Sequence, residues 1–361
     1  MQVKQQRNSS IELLRIAAML FIVCSHLCFH NGMVVYSLPL TVNKIFAQCA
    51  LLGNLGVDIF VIITGYFLCD KAFSTKRVSS LLAQVWFYSL LLSGVSIVLF
   101  GVQPSLLAVI ETVFPTIFAE YWFFTAYIVL LFISPFVNCM IDNLSRPAFL
   151  RLVLILVALW VIMPTFTTQN MYGSEIPQFL LFYLIGAYFK RYPDNIFKRK
   201  AVRNFTMIAS AAILILSVVA INVITMSIEA LNKYSVYATY FFSRNSLFVV
   251  AVAVGMFSAA AYSTPFFSGK INTVSSCVFG VYLIHDHPLF RTVLWINWFD
   301  IKSLYESVLF PIYAILIVLV VFTGGVLVEF VRLKTVAKPM SNAIERLLQL
   351  IVMVCKKIIK E

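Results

Sequence analysis

The sequence predicts an all-α, polytopic integral membrane bundle of about ten transmembrane helices with both termini cytoplasmic. Three observations predict it. Of the 361 residues, 61% are hydrophobic and only 12% are charged, against roughly 45–50% and about 25% in a soluble domain. The apolar residues fall in runs of about 20, the length a helix needs to cross the hydrocarbon core. Lys and Arg gather on alternate connecting segments, as the positive-inside bias asks of a multi-pass chain.

The runs fall at about 11–30, 48–69, 81–101, 122–141, 150–168, 177–190, 204–226, 240–262, 273–290 and 307–331. They do not alternate in the way strands of a membrane β-barrel do. The first follows Lys4 and Arg7, lacks a small-x-small cleavage site and carries Arg15 and His26, so it reads as a retained span and not a signal peptide. The sixth is short, and 104–118 is apolar enough for a re-entrant or interfacial segment. With the N-terminus inside, the inner segments hold Lys4 and Arg7, then Lys71, Lys76 and Arg77, then Arg146 and Arg151. Further inner segments hold the cluster from Lys190 to Arg203, Lys270, and the basic residues from Arg332 to Lys360. The outer segments hold only Lys44, Lys233, Arg244, Arg291 and Lys302. An odd number of spans would scramble this separation. The net charge of +12 therefore follows from topology, and it implies no nucleic-acid partner. Seven scattered cysteines, mostly inside apolar runs, suggest no disulfide framework and read as small core hydrophobes.

Residues 1–335 read as one transmembrane domain and 336–361 as a cytoplasmic amphipathic basic tail. In that tail Ile344, Leu347, Leu348, Ile351, Val352, Cys355, Ile358 and Ile359 share a helical face, with Lys356, Lys357 and Lys360 beside them. Such a helix suits an anionic membrane surface. No loop is long enough for a catalytic domain, so any chemistry belongs to residues in or near the spans.

Ionisable groups inside a bilayer are costly, which makes each a functional candidate. Arg15 and His26 lie 11 residues apart, within ~20° of three full helical turns, so they share a face about 16 Å apart along the axis. One face thus carries a cation near the inner mouth and a titratable base deep inside. A long donor with an anionic head and a reactive tail fits that spacing. On spacing alone, Arg15 reads first as a side chain snorkelling to headgroups, and His26 reads equally as a base or as a satisfied core histidine. Asp58, in the second span, is expected at roughly the depth of His26, where a carboxylate would fix the tautomer and stabilise an imidazolium. His285 is expected in the outer half of the ninth span, before Pro288 breaks the helix. His285 and His287 lie two apart and face different sides of a helix, so no metal site is expected from them. Arg244 and Trp122 begin the eighth and fourth spans on the outer side, and Trp122 also suits the interfacial aromatic belt. His30, at the outer end of the first span, reads as an exposed histidine.

These residues carry a resemblance. Glu12-Leu13-Leu14-Arg15-Ile16-Ala17-Ala18-Met19 followed by Ser25-His26 resembles the first-helix signature of the membrane-bound acyltransferase family 3. Gly56-Val57-Asp58-Ile59-Phe60 with Thr64-Gly65-Tyr66-Phe67-Leu68 resembles its second, Tyr121-Trp122-Phe123 a later one, and Gly280-Val281-Tyr282-Leu283-Ile284-His285 its late-helix motif. The resemblance spans nearly the whole chain, in order. It implies a ten-helix core and transfer of an acyl group, usually acetyl from acetyl-CoA, onto a hydroxyl of a cell-surface polysaccharide or its lipid-linked precursor. It implies His26 as the catalytic histidine and Arg15 as an essential partner on the donor side. An Arg-x-x-Arg motif found in some members is absent around Lys71, Lys76 and Arg77.

The expected site follows. His26 and Asp58 are catalytic; Arg15, Lys76 and Arg77 bind the donor; His285, Trp122 and Arg244 serve the acceptor or the oxyanion. Acetyl-CoA or another acyl-CoA is a co-substrate and no bound cofactor is expected. The partners are that donor, the sugar acceptor and membrane lipids. The setting is a cell membrane, the bacterial inner or plasma membrane. The rival reading is a glycan transporter or flippase without acyl-transfer chemistry, which would show internal hydropathy repeats with helices broken at midplane; none is evident.

Overall fold

A computed structural model describes residues 7–32, 40–167 and 175–360; Lys4 lies outside them. The elements are α1 (Ser9–His30), α2 (Val42–Cys49), α3 (Gly53–Leu68), α4 (Thr75–Phe100), α5 (Leu106–Val113) and α6 (Trp122–Asp142). α7 (Arg146–Val157) continues through a π-helical turn into α8 (Met163–Thr167). Then come α9 (Glu175–Arg191), α10 (Lys200–Ser227), α11 (Leu247–Ala261), α12 (Gly269–His285), the single turn α13 (Phe290–Thr292), α14 (Phe310–Thr335) and α15 (Ala337–Lys360). Among the described residues there is no strand.

Among the described residues, eight segments are long and apolar enough to cross a membrane by length and composition. α9 and α12, in the sixth and ninth predicted runs, have 17 residues each and are not among the eight. The second predicted run is two helices, α2 and α3, separated at Ala50–Leu52. The apolar stretch 104–118 contains the short α5, pinned to α4 where Ser89 Oγ donates to the Thr112 carbonyl at 2.8 Å.

Local signals set the ends of the helices that build the core. Asn8 caps α1 by accepting from the Ser10 amide, and Ser74 caps α4 by accepting from the Arg77 amide, each satisfying a donor that a helix start leaves orphaned. α1 packs between α3 and α12, and α3 packs in turn on α9 and α11. The α3–α9 crossing is backbone on backbone. A Cβ built on Gly65 would overlap the Tyr183 carbonyl, and one on Gly186 would overlap the Ile62 carbonyl, so only glycine fits either position. Asn138 of α6 then ties the same group together, donating to the Leu68 carbonyl at 2.9 Å and accepting from the Tyr183 hydroxyl at 2.7 Å.

A buried ion pair within α14 is tied to α4 by the Tyr88 hydroxyl. Arg332 donates two hydrogen bonds to Glu329, each 2.7 Å, and the Tyr88 hydroxyl donates to the same carboxylate at 2.7 Å. The pair is bidentate and carries a third donor, which is what a buried charge pair needs to offset its desolvation. The tail is helical as its periodicity predicts. It packs against α4 and α14, with Leu348 against the hydrophobic core. The side chains of Ile351, Val352, Cys355, Ile358, Ile359 and the three tail lysines lie outside the described residues.

Candidate functional site

α3 runs antiparallel to α1. Gly53 sits against Ser25, Gly56 against Ala18 and Ile22, and the Phe67 ring lies 5.4 Å from the Arg15 guanidinium. α12 runs parallel to α1, with Asn272 near Ser9 and His285 near His26. These helices, with α4 and α6, enclose a cavity of about 530 Å³. Three guanidinium side chains, Arg7, Arg15 and Arg77, line it toward the start of α1, and Ser25, His26 and Trp122 line it toward the other end. A cavity of this size, mostly apolar with polar groups at its two ends, has the character of a ligand site.

At the arginine end, Arg15 donates to both oxygens of Glu12, at 3.1 and 3.2 Å. The Glu12 carboxylate is buried and also accepts from the Ser275 hydroxyl of α12. Glu12 therefore holds the Arg15 side chain toward the cavity wall, and the guanidinium keeps donors for an anionic ligand. Arg77 lines the cavity, whereas Lys76 is exposed and does not. Neighbouring residues point about 100° apart on a helix, so only one of the pair can face inward. Arg7 lines the same end and was not among the expected donor contacts.

At the other end the histidines fix one another's protons. His285 Nδ1 lies 2.6 Å from the Val281 carbonyl, which can only accept, so Nδ1 carries the His285 proton. The Nε2 of a neutral His285 is then an acceptor, and it lies 3.0 Å from His26 Nδ1. His26 Nδ1 must therefore donate, and His26 Nε2 is left with a free lone pair. Asp286 Oδ1 lies 3.6 Å from His26 Nδ1 and 3.1 Å from His30 Nε2. The Trp295 indole donates to the His285 carbonyl at 2.9 Å and secures the end of α12. The arrangement is a base with a fixed tautomer, a carboxylate beside the imidazolium that would form, and a cavity in front of the ring. Such a set can take a proton from a hydroxyl or attack a carbonyl.

Two expected roles change hands. Asp58 does not orient His26. Gly56 already packs at the level of Ala18 and Ile22, so Asp58 falls about two helical turns short of His26. It is fully buried, and neither carboxylate oxygen has a hydrogen-bond partner among the described residues. The carboxylate at His26 is Asp286. His285 is also recast: it is buried behind His26 and does not line the cavity, so it serves as the orienting partner. Trp122 lines the cavity as expected, but Arg244 does not. The Arg244 guanidinium stacks 4.8 Å from the Trp122 ring, donates to Gln178 at 2.8 Å and pairs with Glu175, so it positions the indole from behind. Tyr282 was overlooked except as a motif letter. It lines the cavity, and its buried hydroxyl lies against the backbone of Phe123, which lines the cavity as well. His30, expected as an exposed histidine, is instead largely buried and lies 3.1 Å from Asp286; its place four residues after His26, on the same helix face, is the signal that could have found it.

A family model described as an acyltransferase domain matches residues 8–330. No curated protein and no solved structure matches the chain significantly.

Proposed function

The chain belongs to acyltransferase family 3, and from that premise we propose that it is an acyl-CoA-dependent O-acetyltransferase acting on a cell-surface polysaccharide or its lipid-linked precursor. The proposal includes ten spans, α9 and α12 among them, with both termini cytoplasmic in a bacterial inner or plasma membrane. The observation that carries it is the two-ended cavity, with guanidinium groups at one end and a tautomer-fixed histidine at the other.

The donor enters from the arginine end. Arg7, Arg15 and Arg77 hold its phosphates, since guanidinium groups match phosphate geometry. The pantetheine arm follows α1 over the 11 residues from Arg15 to His26, about 16 Å, and brings the thioester to the ring. The acceptor sugar approaches from the opposite end and stacks on Trp122, which Arg244 holds in place. His26 Nε2 takes the proton of the acceptor hydroxyl as the oxygen attacks the thioester carbon. The imidazolium that forms is stabilised by Asp286 beside Nδ1. The Tyr282 hydroxyl donates to the developing oxyanion. Collapse of the tetrahedral intermediate breaks the C–S bond, and the proton passes from Nε2 to the departing thiolate. Direct transfer is favoured over an acyl-histidine because Asp286 lies where it stabilises a protonated ring.

Mass and NMR analysis of surface polysaccharide from cells with and without the protein tests the assignment. The expected result is loss of one ester from one sugar position. An unchanged polymer, together with no thioester consumption by the purified protein on candidate glycans, would refute it.

A further inference from the structure

His30 has no part in the transfer steps, yet it completes a cluster with His26 and Asp286. The ligand-capable atoms of the three residues lie within 4.8 Å of one another. Two of the separations are 3.1 Å, from His30 Nε2 to Asp286 Oδ1, and 3.6 Å, from His26 Nδ1 to Asp286 Oδ1. Zinc bonds to nitrogen or oxygen at about 2.0–2.2 Å, so neighbouring ligands of a tetrahedral ion stand roughly 3.3 Å apart. His285 Nε2, 3.0 Å from His26 Nδ1, borders the cluster on the His26 side. Two imidazoles and one carboxylate form a borderline donor set that suits zinc better than magnesium or calcium. The absence of a metal site was expected from His285 and His287 on one helix; the cluster instead joins α1 to the end of α12.

We propose that His26, His30 and Asp286 form a binding site for a zinc-class divalent cation, and that filling it switches the enzyme off. Coordination takes the lone pair of His26 Nδ1. The single proton of the neutral ring then moves to Nε2, and the nitrogen that served as base becomes a donor. His30 exchanges tautomer in the same way, from Nε2–H to Nδ1–H, so both rings stay neutral and no net proton is released. Asp286, claimed by the cation, no longer stabilises a His26 imidazolium. Arg291, in α13 just beyond α12, acts electrostatically on His26. It opposes a second cation there and keeps the site reversible. The binding half of this proposal stands on geometry alone, and the switch rests on His26 being the base.

The test titrates zinc chloride into purified full-length protein in detergent, read by calorimetry and by metal content after desalting. A single saturable zinc per chain is expected, weakened more than about tenfold by His30→Gln and by Asp286→Asn. Correct folding of each variant is checked by its elution profile. Cobalt(II) in place of zinc should give the visible absorption of a tetrahedral ion. Absence of saturable zinc binding by the wild type, or equal binding by His30→Gln, overturns the site. Thioester turnover should fall with the same zinc midpoint and return with a chelator. Zinc binding that leaves an active enzyme unaffected overturns the switch. Zinc binding by a protein with no turnover on any acceptor leaves the site standing and counts against acyl transfer.

Discussion

Replacing Asp286 with Asn isolates the electrostatic contribution to turnover. The substitution preserves shape, and the amide oxygen can still accept from His30, as Oδ1 does at 3.1 Å. What disappears is the charge 3.6 Å from His26 Nδ1. At an effective dielectric of 20, a unit charge at that distance stabilises an imidazolium by about 4–5 kcal/mol. Water reaching His26, whose side chain is 19% exposed, lowers the realised part. The expected loss in kcat is therefore roughly 10²–10³-fold, with little change in donor KM, because the charge matters most when the ring is protonated. The assay is release of free thiol from acetyl-CoA by purified protein in the presence of acceptor, at zero and saturating chelator. A variant within threefold of wild type would refute the idea that protonated His26 is stabilised by this carboxylate.

Other expectations follow from the same geometry. Arg77→Ala should raise the donor KM by about tenfold or more, the loss of a charge-assisted contact, while Lys76→Ala leaves it unchanged; equal effects would contradict the inward placement of Arg77. Tyr282→Phe should lower kcat by about 10²-fold, as expected for one oxyanion donor, and an unaltered rate would remove Tyr282 from the chemistry. Gly186→Ala forces a methyl against the Ile62 carbonyl and should cost about 3 kcal/mol, read as a drop in the thermal unfolding midpoint in detergent; an unchanged midpoint would contradict the close α3–α9 crossing.

The α1 half of the site was legible because helical spacing is arithmetic. Arg15 and His26, 11 residues apart, do line one cavity. Gly65 can be read in the same way, since a small residue in an apolar run marks a close crossing. The partners of His26 were not. His285 is 259 residues away, and hydropathy places it at a depth without saying which side of α1 it meets. Asp58 attracted the orienting role because depth was counted from the start of an apolar run. That run is broken at Ala50–Leu52, and the contacts of Gly53 and Gly56 set the true register. Lys76 and Arg77 were inseparable in sequence because both sit at a helix start, where the charge bias counts them alike.

The central claim is that His26 Nε2 does the proton transfer in front of a donor held by arginines. The most direct measurement is acetyl-CoA thioester consumption by purified His26→Ala protein, alongside donor binding measured separately by calorimetry. The account predicts turnover reduced to the level of protein-free controls with donor affinity within about threefold of wild type. Turnover that persists in His26→Ala would contradict it.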